Sequence, residues 1–383
     1  MTDKLYEADG HIKEFSASVI SCSEGERGFE VILDKTAFFP EGGGQKPDTG
    51  FIADAKVFDV QIKDGVISHF CDSPLEAGAV VECSIDWEQR FRRMQNHSGE
   101  HIVSGIIHKL YGFNNVGFHM GADDITIDID GVLNREQLDE IELLANRAVC
   151  ENVPVRAYYP ETEDLPNIDY RSKLDLTENV RLVEIEGYDL CACCAPHVER
   201  TGEIGIIKLL DFINYKGGVR IHMLCGLDAL ADYNSKFKNN AEISNLLSAK
   251  KDETALAVSR LYDENSALKQ QLSLMKKQLL QFKADAVTPV SGNLCIFEDD
   301  TDTNTLREYA NELLKRCGRI CAVFSGNDTD GYRYVILSKA VPLRALAKEI
   351  NAAINGRGGG KDDMLLGSGT ASRAVIEEYF SAI

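Results

Sequence analysis

No apolar run among the 383 residues approaches the ~18 that a membrane-spanning helix requires, so nothing here reads as a helical membrane span. The N-terminal MTDKLYEADG carries charges where a secretory signal has its apolar core, and a cytoplasmic location is expected. Basic residues are also scarce, with 41 Lys and Arg against 61 Asp and Glu. A net charge of −20 speaks against broad, non-specific binding to nucleic acid, because phosphate contacts need cations. There is no Gly-x-Ser-x-Gly elbow for a serine hydrolase and no internal repeat.

What is present fits a folded chain of two or three domains: 44% hydrophobic and 27% charged residues. The acidity is uneven. Residues 226–285 hold nine Lys/Arg against eight Asp/Glu, and residues 286–383 eleven against thirteen, so nearly all the net charge lies in the first 225 residues. A polyanionic partner would therefore lean on the near-neutral C-terminal third. Eleven cysteines are scattered except for Cys191, Cys193 and Cys194. In a reducing compartment such a cluster points to metal binding or reactivity before disulfides.

The fold class expected is α+β. Residues 1–88 alternate in short runs such as Phe29–Leu33 and Ala79–Cys83 between Gly and Asp turns, which suits a small β-barrel. Asp86, with Gln89 three residues on, caps a helix through RFRRMQNHSGEHIVSGIIHKL that stops near Gly112. The rest of residues 89–227 mixes strands (ITIDID, VPVRAYY, VRLVEI, IGIIKLLDF, VRIHMLC) with a helix capped by Asn134, an α+β domain. Residues 228–286 contain no Gly or Pro and read as one long helix. Val258, Leu261, Asn265, Leu268, Leu272, Met275, Leu279 and Phe282 fill heptad a and d positions, predicting a coiled coil with a partner subunit or a hairpin folded back. Residues 287–383 form a small α/β unit with a Gly-rich loop, GRGGGKDDMLLGSG.

His97 and His101 lie four apart on the predicted helix, so both imidazoles leave one face within reach of one ion. His108 shares that face, but seven residues at 1.5 Å each put it ~10 Å away, too far to join. Cys193 and His197 form a Cys-x-x-x-His. Soft thiolate and imidazoles together suit tetrahedral zinc.

RRMQNHSGEHIVSGI followed by CACCAPHVERTGEIG resembles the editing module shared by alanyl-tRNA synthetases and free-standing AlaX-type editing proteins. The resemblance implies zinc on His97, His101, Cys193 and His197, with Cys191 and Cys194 as extra thiols beside the family pattern. AFFPEGGGQKPDTG is similar to the Gly-rich segment of the family's N-terminal barrel, where Gly43 and Gly44 bring the backbone close to the pocket and Gln45 faces it. The C-terminal unit looks like the DHHA1-type domain that ends long AlaX proteins, serving tRNA binding or dimerisation. Neither an Asp-His-His motif nor a class II aminoacylation core is recognisable.

The resemblance implies a long AlaX-type enzyme acting in trans on tRNA(Ala) mischarged with serine, or also glycine, as a homodimer through the coiled coil and C-terminal domain. Zinc would either activate water or position the substrate, since four protein ligands close a tetrahedral shell. Gln45, Ser98 and Glu100 are candidates for contacting water or substrate, Glu100 being alternatively a solvated helix residue. His119 falls where the family places part of the amino-acid pocket, with a structural role as the alternative. The competing class is a zinc-stabilised tRNA-binding or assembly protein without catalysis.

Overall fold

A computed structural model of the chain describes residues 2–121, 124–172 and 178–383. They fall into two compact units, Met1–Glu242 and Ile243–Ile383. Among the described residues no helix is long and apolar enough to cross a membrane.

The first unit opens with six antiparallel strands: β1 (Glu14–Gly25), β2 (Gly28–Leu33), β3 (Gly50–Ile52), β4 (Ala55–Lys63), β5 (Val66–Cys71) and β6 (Val80–Ile85). They pair in the closed order β1-β2-β5-β4-β3-β6, and β6 returns to β1 to complete a barrel. Alternation along each strand sends Val19, Val31, Leu33, Val57 and Ile67 inward.

His69 lies in this core with no exposed surface. Its Nδ1–H donates to Val31 O at 3.1 Å, and Thr36 Oγ1 bonds Nε2 at 2.8 Å, so the neutral ring is satisfied. Burial lowers its pKa from 6.5 to about 4. The unfolded chain therefore binds the extra proton first as pH falls. Stability should be flat above pH 6.5 and drop as pH falls from 6.5 towards 4, by about 3 kcal/mol from this one group. Denaturant unfolding at several pH values, with and without His69→Gln, checks this; an unchanged slope in the variant would refute it.

Asp86 caps α1 (Trp87–Tyr111), accepting from Gln89 N–H at 3.1 Å. Gly112, at φ 71°, ends the helix in the left-handed conformation. Arg90 pins α1 to the barrel. Fully buried, it bonds Asp48 and donates to Gly10 O and Ala37 O at 2.9 and 2.6 Å. Arg90→Met would leave the Asp48 carboxylate buried without its main partner, a loss of about 3–5 kcal/mol. Denaturant unfolding of the single variant should show it, and Arg90→Met with Asp48→Leu should recover part.

Beyond α1, strands β7 (Asn115–Met120) and β8 (Ile125–Ile129) lead to α2 (Arg135–Glu151), where Asn134 and Gln137 complete a reciprocal capping box. A three-stranded sheet follows, β9 (Val155–Tyr158), β10 (Leu182–Ile185) and β11 (Asp189–Ala192). Strands β12 (Ile207–Tyr215) and β13 (Gly218–Cys225) join β8 and β7 in the order β12-β13-β8-β7. The inner faces of α1, α2 and this sheet share one core that includes Ile102, Val103, Ile127, Leu138, Ile141 and Ile221.

The single helix expected over 228–286 is two: α3 (Gly226–Leu247) and α4 (Thr254–Ala286). Ser248 takes the left-handed conformation (φ 49°), Ala249 N–H bonds Ser244 O, and Ser244 Oγ donates to Ala249 O, ending α3 without Gly or Pro. The heptad side chains of α4 from Val258 to Phe282 that are large and apolar stay exposed in the single chain.

In the second unit, β14 (Leu294–Glu298), α5 (Thr303–Leu314), β15 (Ile320–Asn327), β16 (Gly331–Ser338), α6 (Leu343–Ala353), β17 (Gly356–Gly360), β18 (Met364–Gly369) and α7 (Arg373–Ala382) build a five-stranded sheet ordered β14-β15-β16-β18-β17. The α+β class thus holds across the chain. The Gly-rich segment is an antiparallel hairpin, β17 on β18, instead of the expected loop. Its glycines are there for closeness: a Cβ on Gly358 would lie 2.1 Å from the Tyr334 hydroxyl.

Candidate metal centre and active site

The first unit brings two distant stretches of chain together. His97 and His101 leave the face of α1 turned to β11, and β11 runs into Cys193 and His197. One ligand atom from each of the four side chains lies within 4.8 Å of the others. Cys193 Sγ is 3.6 Å from His97 Nε2 and 3.3 Å from His197 Nε2. A tetrahedral zinc with bonds of ~2.0–2.3 Å spaces its ligand atoms at about these distances.

Each imidazole is held through its other nitrogen. His97 Nδ1 meets Gln45 Oε1 at 2.9 Å, His101 Nδ1 meets Asp189 Oδ2 at 3.0 Å, and His197 Nδ1 meets Ser98 Oγ at 3.0 Å. In a neutral ring, Nδ1–H donation selects the tautomer whose Nε2 can bind a metal. At His101 burial favours the neutral form, but the Asp189 hydrogen bond and the thiols of Cys191 and Cys193 outweigh it and raise the pKa, so a metal there displaces a proton. Asp189 is gripped in turn by Arg171, Nε to Oδ1 at 2.7 Å and Nη2 to Oδ2 at 2.8 Å. Burial would raise the Asp189 pKa, but hydrogen bonds from His101 and Arg171 outweigh it and hold the group ionised. Burial likewise pushes the Cys193 thiol up, yet the imidazoles of His97 and His197, with hydrogen bonds from His101 and His197, bring it well below its ordinary value. Burial lowers His197 to about 3, the Cys193 sulfur opposing this only in part. A thiolate and buried imidazoles with all three Nδ1 atoms engaged form a donor set that fits a soft or borderline divalent metal.

The cluster stands at the wall of a cavity of about 740 Å³. Gly43, His97, Glu100, His101, Phe118 and Cys193 line this part, and His108 and Lys109 line it farther along α1. Phe118 packs on His97, with ring centroids 4.8 Å apart.

The other sequence candidates divide. Gln45 is buried, and its Nε2 has no hydrogen-bond partner. Ser98 is buried behind His197, and its oxygen also accepts from Val198 N–H at 3.2 Å, so it orients a ligand and lies off the cavity wall. Gly44 too is off the wall: at φ 84° it packs on the backbone of β7, where a Cβ would come 2.4 Å from Phe118 O. Glu100 is buried and bonded, which rules out a solvated position. His119 is exposed and does not line the cavity; the two-residue period of β7 turns Phe118 and Met120 to the core and His119 away. Cys191 groups with His101 and Asp189 instead of with the four-membered cluster, and Cys194 Sγ lies towards Gly42 and Gly43.

Asp189, Arg171 and Asn115 were missed. Asp189 was legible, since the strand period places residues 189, 191 and 193 on one face. Arg171 and Asn115 carry no such signal.

Three known families match the chain: tRNA synthetases class II (A) at residues 6–89, the threonyl and alanyl tRNA synthetase second additional domain at 180–223, and the DHHA1 domain at 287–381. The alanyl-tRNA editing protein AlaX-L of Pyrococcus horikoshii is 27% identical, over 96% of this chain and 94% of its own length. The alanyl-tRNA editing protein Aarsd1 of Mus musculus is 25% identical over 98% of each chain. An alanine–tRNA ligase of Ignicoccus hospitalis is 31% identical over 94% of this chain, which spans 40% of the ligase.

Proposed function

The chain belongs to the alanyl-tRNA editing proteins of the long AlaX type, and from that premise we propose that it is a hydrolase acting in trans on mischarged tRNA(Ala), cleaving the ester between the wrong amino acid and the terminal ribose. The amino acid is serine, with glycine as a second substrate. One observation carries this reading: four ligand atoms converge within 4.8 Å at the wall of a cavity large enough for an aminoacyl group and its nucleoside.

Zinc, held by His97, His101, Cys193 and His197, supplies a Lewis-acidic centre when bound. Gln45, Ser98 and Asp189 fix the three rings, so that the ligand nitrogens are preorganised. Gln45 lies off the cavity wall, and its buried Nε2 is a donor left for an ordered water. Gly43 and Phe118 wall the amino-acid end. A site that satisfies serine's hydroxyl would reject alanine, because alanine leaves buried polar groups unpaired.

The second unit supplies tRNA contacts, in keeping with its near-neutral charge. The exposed seam of α4 from Val258 to Phe282 supports a homodimeric coiled coil with Asn265 setting register, and sedimentation of the intact protein tests it.

A deacylation time course with Ser-, Gly- and Ala-charged tRNA(Ala) at substoichiometric protein, with metal analysis of the same sample, tests the whole reading. Many turnovers on Ser-tRNA(Ala), with Ala-tRNA(Ala) spared, are expected. Protection of the seryl ester without turnover would favour a binding protein and defeat the enzyme.

A further inference from the structure

A second cluster with metal-ligand chemistry lies where the segment ahead of β1 meets the loop beyond His197. One ligand atom from each of Asp9, His11 and Glu199 lies within 4.8 Å of the others, and none of the three residues lines the cavity described above. His11 anchors the group. Its Nε2 bonds Glu203 Oε2 at 2.8 Å, and a carboxylate only accepts, so the ring carries a proton on Nε2. The other Glu203 oxygen accepts from Glu199 N–H at 3.1 Å and Arg200 N–H at 2.9 Å, which holds that carboxylate in place. Trp87 and Phe91 of α1 flank the imidazole, with ring centroids 5.5 and 6.4 Å away. A ring fixed in position by its neighbours, with one nitrogen donating to a carboxylate, is the arrangement of a histidine that ligates metal through its second nitrogen.

That second nitrogen, Nδ1, is buried and has no hydrogen-bond partner, a state that is costly unless a ligand fills it. It lies 3.8 Å from Glu199 Oε1, beyond hydrogen-bonding reach but close enough to share an ion. Asp9 is aimed by its own contact, Oδ1 accepting from His11 N–H at 2.8 Å. Among the described residues neither Asp9 nor Glu199 pairs with a Lys or Arg. Arg200, the one basic residue between Glu199 and Glu203, turns to Asn152 O instead.

We propose that Asp9, His11 Nδ1 and Glu199 bind a second divalent cation, of the borderline kind that takes both imidazole and carboxylate, such as Zn²⁺, Co²⁺ or Mn²⁺. Bonds of ~2.0–2.2 Å space ligand atoms by ~3–4.4 Å, close to the spread already present. The Glu199 side chain is 72% exposed and swings aside as the ion enters. The ion ties the start of the chain to the loop that carries His197, two residues before Glu199. Three donors, two of them at the surface, hold it less tightly than four converging donors hold theirs, so it exchanges during gel filtration and is read at equilibrium. Nothing in this site depends on the deacylase reading.

The test is equilibrium dialysis of the metal-stripped full chain against Co²⁺, with excess Mg²⁺ to suppress loose binding to an acidic surface. Cobalt on Cys193 announces itself by a thiolate charge-transfer absorption, whereas cobalt on Asp9, His11 and Glu199 has none, so the two sites are told apart. The wild type should take up a second Co²⁺ after that absorption has saturated. Cys193→Ala should lose the absorption and keep the second ion; His11→Gln should keep the absorption and lose the second ion. Should His11→Gln fail to fold, Asp9→Asn with Glu199→Gln, both at exposed side chains, takes its place. No Co²⁺ beyond the one that carries the thiolate absorption would overturn the proposal, leaving His11 merely paired with Glu203. A second ion that survives in His11→Gln, or in the double variant, would overturn it too.

Discussion

Cys193→Ala is expected to remove the bound metal and the seryl-tRNA deacylase activity together. The thiolate is the one anionic donor among four, and without it three neutral imidazoles must hold a divalent cation in a buried pocket. Loss of a mere hydrogen-bond partner to a ligand costs about 10- to 100-fold in metal affinity, and loss of the ligand itself should exceed that. Deacylation should fall by at least about 10³-fold in kcat/KM. Metal analysis after gel filtration and a turnover assay read the two effects. Cys194→Ala provides the contrast: its sulfur lies towards Gly42 and Gly43, so metal should be retained. Persistent serine clearance in Cys193→Ala would sink the metal site as the seat of the chemistry.

The second large effect is expected from a change that helix propensity alone would favour. Gly105→Ala lies inside α1, where alanine is better than glycine by about 1 kcal/mol. A Cβ there would lie 2.4 Å from Tyr188 O and 2.8 Å from Asp189 Cβ. The first contact is backbone and cannot rotate aside. Helix and strand must separate, and Asp189 withdraws from His101. We expect a net destabilisation of about 1–3 kcal/mol and a fall of about 10- to 100-fold in kcat/KM. A variant as active as the wild type, with a raised Tm, would show that α1 and β11 do not pack this closely.

Much of this site was legible in the sequence because helical and strand periods do most of the placing. Spacing of four put His97 and His101 on one face, and the Cys-x-x-x-His supplied the rest. The partners of the imidazoles were harder to see. Gln45, Ser98 and Asp189 come from three separated segments, and local period does not encode which of them meets which ring. His119 differs: the two-residue period of its strand turns it outward, away from the cavity. The break between α3 and α4 was invisible because Ser248, neither glycine nor proline, takes the left-handed turn. In the second unit the Gly-rich segment read as a loop, whereas it is a hairpin in which Gly358 and Gly367 make room for Tyr334.

The hydrogen bond from His97 to Gln45 crosses from α1 to the segment between β2 and β3. The four-donor cluster is therefore braced from a second element of the fold. Cutting the chain after residue 88 would leave all four donors on one fragment and strand Gln45 and Gly43 on the other. A library that treats the barrel as an interchangeable appendage would keep the four candidate donors but lose a brace for one of them, along with a wall of the pocket.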